Sequence, residues 1–511
     1  MGKKAMNKEV LVVGGGTAGW LTALMINRST PFANITVVES QEIGILGAGE
    51  GSTPQLVELF SYLNIPLSDL ILNCDATIKN GIRFTNWNNS DDFFYHGFRV
   101  NDNDLGSKFL DSQFVSTSSL LTMSLILNNR INEVDFTEKI SEKNKVPFIP
   151  KDKKEEMGIL DYENISKFSI HFNASKLANR LKEIGIDRGI KVVDGIIKDV
   201  VLNDTGHIDS ISLVDGNIIK SDFVFDCTGF HRFIIGKVFN SKWKSYKDFL
   251  PSDSAVPFFI EMSEEIPPYT EAIAMRYGWM WKIPLQNRFG CGYVYDSSLI
   301  SEADAVKEIE EYLGYEPVYP RKEKGGFKFS AGCYEESWIK NCVAVGLAAN
   351  FVEPLEATSI WVSILGLSQI LGSPDWILSD SDEIRKHFND SIVSINNEVA
   401  SFIYFHYMTN RKDTEFWQKF SYENAPDYLK GKLDLWKHRL PNKLDSGERW
   451  PVRSWFVVGS HQGTINKSVA DLYIDSERRS DALSAYLKSI EYQEGKASMC
   501  VSHNEFLESL K

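Results

Sequence analysis

The run Glu9 to Val13 followed by Gly14-Gly15-Gly16-Thr17-Ala18-Gly19 constrains this chain more than any other feature. A short run rich in β-branched residues suits a buried strand of a parallel sheet. After the glycines, Trp20 to Asn27 is rich in helix formers, and a second strand-like run, Ile35 to Val38, ends in Glu39, 20 residues after Gly19. Gly14 permits a tight turn, Gly16 lets the backbone approach a pyrophosphate, and Gly19 lets the helix pack closely on the strand. Thr17 and Ala18 stand at the helix N-terminus, whose dipole attracts phosphate. Glu39 is placed to accept hydrogen bonds from the hydroxyls of an adenosine ribose.

Composition excludes several partners. The 511 residues carry a net charge of -14, so no basic face is expected for nucleic acid. The six cysteines are scattered without a CxxC pair, and the nine histidines show no metal-ligand spacing, so neither a disulfide frame nor a metal site is expected. The N-terminal MGKKAMNKEV lacks the apolar core of a signal peptide. The apolar stretch from Val343 to Leu371 is interrupted by Glu353 and Glu356, which argues against a membrane span. A soluble, cytoplasmic protein is expected.

The first elements are answered later in the chain. A helix is expected from His171 to Arg180, then strands at Lys191 to Val193, Ile196 to Leu202, Asp209 to Val214, Ile218 to Ile219 and Phe223 to Phe225. The last leads into Asp226-Cys227-Thr228-Gly229, and an apolar strand ending in Asp-x-x-Gly is a return to the cofactor in FAD enzymes of the hydroxylase type. Ile196, Asp226 and Gly229 are therefore expected at FAD. The cluster Gly47-Ala48-Gly49-Glu50-Gly51-Ser52 comes too soon after Glu39 to follow its own strand. It suits a loop over the cofactor, with Gly49, Glu50 and Ser52 as contacts, or a plain flexible loop. No second GxGxxG follows a strand; Gly290-Cys291-Gly292 lacks the third glycine. The flavin is thus expected to arrive already reduced, from a separate NAD(P)H-dependent flavin reductase.

Gly278-Trp279-Met280-Trp281-Lys282-Ile283-Pro284 contains Trp-x-Trp-x-Ile-Pro. Residues two apart on a strand share a face, so Trp279 and Trp281 suit one side of a core. With this motif, including Ile283 and Pro284, the chain resembles the flavin-dependent halogenases, especially the tryptophan halogenase group. The likeness continues in order through Gly49 to Pro54, Asp226 to Gly229, Phe351-Val352-Glu353-Pro354-Leu355-Glu356 and His406-Tyr407…Arg411…Asp413-Thr414…Phe416-Trp417, and fades after about Phe420.

That resemblance implies an FADH2-dependent enzyme that uses O2 and halide to make hypohalous acid and halogenates an aromatic ring, with competing water excluded. Lys79, in Thr77-Ile78-Lys79-Asn80-Gly81, matches the lysine that receives the acid. Its ammonium can polarise the halogen by a hydrogen bond, or its neutral amine, which burial would favour, can form a haloamine. Glu356 matches the second catalytic residue, a carboxylate that stabilises charge on the attacked ring and takes its proton. Without the resemblance, Lys79 reads as a surface lysine and Glu356 as an acid at a helix N-terminus. Backbone N–H groups of Thr358 and Ser359 match the halide site. The family's Ser-Thr-Gly after the glutamate is here Ala357-Thr358-Ser359, which changes backbone freedom and pocket size and points to bromide or iodide. Leu347, in Gly346-Leu347-Ala348-Ala349, is expected to meet the flavin through its backbone.

On the substrate side, His96 and Phe98 match a segment lining the aromatic pocket, and Trp455 resembles a tryptophan that sandwiches the ring. Each stacking contact would contribute about 0.5–1.5 kcal/mol beyond burial. Any of the three could equally be a core aromatic. The paired tyrosines and glutamate that hold the amino-acid group of free tryptophan in the resembled enzymes are not matched before Trp455, where Glu448 is the only nearby candidate. A simpler indole or another electron-rich aromatic is therefore expected at least as readily as free tryptophan.

The expected fold is α/β: an FAD-binding Rossmann-like module of the aromatic hydroxylase type over residues 1–370, with substrate-binding insertions at about 80–160 and 240–330, and a mainly helical substrate-binding part over 371–511. Two alternatives stay open, a flavin-dependent aromatic monooxygenase and a non-catalytic flavin-binding regulator. Whether copies form a homo-oligomer is also open.

Overall fold

The computed structural model describes residues 7–40, 42, 49–88, 92–98, 135–150, 162–320, 325–441, 449–465, 468–469 and 476–511. Gly47, Ala48 and Glu448 lie outside the described residues, as does much of the first expected insertion. The chain divides into two compact units. One comprises Met1–Asp75, Phe172–Asp248 and Phe329–Asn397; the other Ala76–His171, Phe249–Lys328 and Glu398–Lys511. The last division falls inside the long helix Asp382–Tyr407.

The first unit is built on β1 (Lys8–Val13), the helix α1 (Thr17–Ser29) and β2 (Ala33–Glu39). β1 lies inside a six-stranded sheet, between β2 and the strand Phe223–Asp226. Both neighbours are parallel to it, with Val12 opposite Val37 on one side and Phe225 on the other. Val10 to Val13 are at most 3% exposed, which explains why this part of the strand is a continuous apolar run rather than alternating. Each such side chain contributes about 1.5–3 kcal/mol by leaving water. Lys191–Asp194 and Cys342–Ala344 extend the parallel order, and Trp338–Ile339 closes it antiparallel. The strands Ile197–Leu202, Ile208–Leu213 and Ile218–Lys220 form a separate antiparallel sheet.

The helix expected from His171 begins instead at Ala174 and runs to Asp187. Asn173 caps it, its side chain accepting from the backbone N–H groups of Ser175 and Lys176. His171 ends up in the strand Ser169–Phe172, fully buried, because its ring serves the second unit.

The core of that second unit is a seven-stranded sheet in the order Phe327–Lys328, Ser254–Glu261, Arg288–Tyr295, Gly278–Pro284, Tyr269–Ala274, Gly81–Thr85 and Phe93–Gly97. The Trp-x-Trp-x-Ile-Pro segment is one of its inner strands. Gly290-Cys291-Gly292 is also a strand, and Trp281 stands opposite Gly292. A Cβ on Gly292 would lie 2.1 Å from the Trp281 ring, so this glycine makes room for an indole. Among the described residues no helix is long and apolar enough to cross a membrane.

Replacing Gly292 by Val should therefore cost about 1–3 kcal/mol of stability through overpacking. Denaturant unfolding of the cofactor-free chain checks this, and an unchanged midpoint would show that Trp281 can move aside.

Candidate active site

The turn after β1 explains its glycines individually. Gly14 has φ +122°, and a Cβ there would sit 2.2 Å from the Cys227 carbonyl oxygen. A Cβ on Gly19 would meet the Gly14 carbonyl oxygen at 1.8 Å, so α1 backs directly onto the turn. Gly16 is different. It faces open space, and α1 begins there with no side-chain cap. The first-turn N–H groups of an uncapped helix, here including Thr17 and Ala18, have no internal acceptor and favour an anion. This open cradle fits a cofactor pyrophosphate. Gly229 also faces open space, and the turn Gly346–Ala348, which carries Leu347, packs its Gly346 against Ala18.

Glu39 ends β2, accepts a hydrogen bond from Trp20 Nε1 at 3.1 Å and pairs with Lys182. Two anchored bonds leave the carboxylate further lone pairs for a ribose. Ile196 lies just beyond, after Gly195, whose N–H donates to the Glu39 carbonyl. Asp226 is turned inward with no exposed surface. Its two oxygens accept from Thr228 N–H and Oγ1 and from the N–H groups of Ile234 and Ile235. It thus shapes the turn that presents Gly229, rather than offering its own side chain. Gly49 is buried at φ +87°, Ser52 is buried, and the Glu50 carboxyl is pushed up to about 7 by desolvation.

Glu356 is buried, 4% exposed, at φ +66°, and Ala357 follows at φ +53°. Two consecutive non-glycine residues in the left-handed region cost of order 1–3 kcal/mol each and persist only where the surroundings impose them. They turn the chain into the helix Thr358–Leu371, which has no side-chain cap. Thr358 and Ser359 are its first residues, and their N–H groups belong to its positive end. Ser359 sits in regular helix, a conformation open to any residue, so a serine in place of glycine does not alter the path of the backbone.

In the second unit Lys79 has no exposed surface. It ends the three-residue strand Thr77–Lys79, which pairs antiparallel with Ser169–Phe172. Its Nζ lies 5.4 Å from the centre of the Phe98 ring, and Phe98 N–H donates to the Asn80 carbonyl at 2.9 Å. Thr77 Oγ1 donates to the Pro284 carbonyl at 2.7 Å, which ties the end of the tryptophan motif to the lysine strand. His171 spans Thr77 Oγ1 at 3.0 Å and Thr270 Oγ1 at 2.9 Å. Burial, then the charges of Lys79 and His503, hold it well below the usual histidine range. His503 accepts from Ile78 N–H at 2.9 Å and is pushed down to about 4 by burial.

His96, Trp450 and Trp455 all lie against Phe402 but differ in their other neighbours. His96 Nε2 is 2.8 Å from Ser454 Oγ, and its ring lies 6.3 Å from Trp450. Trp450 stacks on Phe402 at 4.0 Å. Trp455, expected to sandwich a substrate, has no exposed surface and packs against Phe402, Phe405 and Trp436. The structure gives it the core role and puts Trp450 on the His96 side. Trp279 and Trp281 are buried with ring centres 6.4 Å apart, and Ile283 is buried with them. Sequence reading missed His171, His503 and Trp450. The one available signal was Ser502-His503-Asn504-Glu505, a capping box that starts the helix His503–Ser509 but says nothing of its histidine.

Two measurements follow from this geometry. Gly16→Ser supplies a good helix cap and meets no protein atom, so thermal stability should hold while FAD affinity, read by fluorescence quenching, falls about tenfold or more. Gly19→Ala should instead lose stability. Second, between pH 6.5 and 4 the unfolded chain protonates its histidines while folded His503 stays neutral. That stability is complete above about 6.5 and is lost as pH falls through 4. His503→Gln should flatten this part of the stability profile, as measured by denaturant unfolding at several pH values.

The sequence model described as tryptophan halogenase matches residues 9–476. The chain is 31% identical over 461 residues to the tryptophan 6-halogenase SttH of Streptomyces toxytricini, covering 85% of this chain and 84% of that protein. It is 29% identical over 454 residues to the tryptophan 7-halogenase RebH of Lentzea aerocolonigenes, covering 84% and 82%. The crystal structure of SttH superposes with a TM-score of 0.85 at 27% identity, over 99% of this chain and 100% of that one. The cradle, the buried lysine and the tryptophan motif thus occur in a chain that belongs to the tryptophan halogenase family and is a flavin-dependent halogenase.

Proposed function

We propose that this enzyme is the halogenating partner of a two-component system. It takes FADH2 from a separate NAD(P)H-dependent flavin reductase, together with O2 and a halide, and halogenates an indole or another electron-rich aromatic. Bound FADH2 supplies the electrons with which O2 converts halide to hypohalous acid. Gly14, Gly16, Thr17, Ala18 and Gly19 would hold its pyrophosphate, Glu39 its ribose, and Gly49 to Ser52, Gly229 and Leu347 its remaining length.

Lys79 receives the acid and presents its halogen. The halogen passes from oxygen to a ring carbon, and the departing hydroxide takes a proton from the Lys79 ammonium and leaves as water. Glu356 takes the ring proton, whose return to Lys79 restores both groups. The observation that carries this reading is Lys79, an amine with no exposed surface set beside the Phe98 ring. A lysine is almost never buried that completely unless it is paired, and its match to the halogen-accepting lysine of the family supports a chemical role for this one. Thr358 and Ser359 would bind the halide through their N–H groups. Bromide and iodide shed water more easily than chloride, and a serine wall in place of glycine supports a preference for one of them. His96, Phe98 and Trp450 would flank the ring. The named relatives act on tryptophan; we read this chain as taking a simpler indole. The free, buried state of all six cysteines supports a cytoplasmic setting.

Supplying FADH2 to indoles and phenols in chloride, bromide or iodide should give products heavier by one halogen, read by mass spectrometry, fastest in bromide or iodide. A gain of one oxygen that ignores halide would sink the proposal. Lys79→Ala should lower product formation on the order of a hundredfold or more, while FADH2 oxidation and release of trappable hypohalous acid continue.

A further inference from the structure

We infer that His503 is a positioning residue for Lys79, reaching in from a part of the chain beyond residue 476, where the family match ends. This rests on the reading of Lys79 as the halogen-accepting residue.

The strand Thr77–Lys79 is only three residues long, and its neighbours determine where the lysine points. The N–H of Ile78 donates to His503 Nε2 at 2.9 Å. Because an amide N–H can only donate, Nε2 must be unprotonated, and the ring proton lies on Nδ1. There it donates to the Ile266 carbonyl at 2.9 Å. The imidazole is thus held at both nitrogens and cannot rotate without losing both bonds. It fixes the Thr77–Ile78 peptide, one residue before Lys79, and the Lys79–Asn80 peptide on the other side is also held, with Asn80 N–H donating to the Pro268 carbonyl at 2.7 Å. The ring has no exposed surface, and its position is set by the capped helix His503–Ser509. A neutral ring keeps its acceptor lone pair at physiological pH, and His503, pushed down to about 4, stays neutral there.

A fold needs the Ile78 N–H satisfied by something. What the geometry adds is direction. Tilting the Thr77–Ile78 peptide shifts the Ile78 backbone from which Lys79 follows and so swings the amine at the far end of its side chain. Misplacement by about 1 Å costs on the order of a hundredfold in an oriented reaction. Losing the bond should leave formation of hypohalous acid intact and impair its delivery to the ring.

The test uses the full chain with supplied FADH2, bromide and indole. It measures kcat, KM for indole, the rate of FADH2 oxidation and the fraction of oxidised FADH2 that appears as bromoindole. His503→Phe fills the space but cannot accept from Ile78 N–H. It should lower kcat and the coupled fraction about tenfold, with KM and FADH2 oxidation unchanged and more hypobromous acid trapped. His503→Gln, which can still accept that bond, should restore coupling to within about threefold of the parent. His503→Asn, polar but too short, should behave like His503→Phe and serves if that variant does not fold. Unchanged coupling in His503→Phe or His503→Asn overturns the inference, provided Lys79→Ala abolishes product in the same assay. Should Lys79→Ala keep its product, the underlying reading of Lys79 fails instead. If neither variant folds, His503 is a folding residue, which also overturns the inference.

Discussion

Enclosing Lys79 without any contact with solvent sets the terms for the second unit. Water that would solvate an amine and the peptides beside it is gone, so each polar group must find a partner in the protein. The strand carrying the lysine is therefore tied on every side: to Ser169–Phe172 by its ladder, to Pro284 through Thr77, to His503 through Ile78, and to Pro268 through Asn80. His171 and His503 serve here because a neutral imidazole offers one donor and one acceptor at fixed angles. Burial keeps both neutral, and the same burial makes them sources of acid sensitivity.

The first unit solves a different problem, leaving positive helix ends open. Its helix Ala174–Asp187 is capped by a side chain, as are Glu302–Leu313 and His503–Ser509 in the second unit. α1 and Thr358–Leu371 are not capped, and neither are Pro54–Tyr62 and Leu67–Asn73, which start at or just after a proline. Of these, α1 and Thr358–Leu371 are the helices that the proposed chemistry needs for phosphate and halide. The left-handed backbone of Glu356 and Ala357 belongs to the same economy, since strain there is stable only where the surrounding structure holds it.

Local rules made some of this legible. Gly14, Gly16 and Gly19 carried their spacing in the sequence, and the structure gives each a separate steric reason. The strand through Trp279 and Trp281 was also legible, because period-two patterning survives without tertiary information. Other features were not. Asp226 looked like a cofactor contact, yet four local donors claim its oxygens. His171 looked like the start of a helix because the composition runs smoothly across it, whereas the Asn173 cap starts the helix at Ala174. Trp450 and Trp455 are five residues apart, and only packing tells which is enclosed by Phe405 and Trp436 and which lies beside His96.

By itself the sequence determined the nucleotide-binding module, through the order of strand, glycine turn, helix and acid, and through motifs that sit within a few residues of one another. Tertiary structure alone decided that Lys79 is buried beside Phe98, that the carbonyl of Pro284 meets Thr77, and that His503 reaches Ile78. The physical reason is one of range. Turn geometry and strand periodicity act between neighbours in the chain and leave a local pattern. Burial and hydrogen bonding between residues hundreds apart leave none, and exist only once the chain has folded.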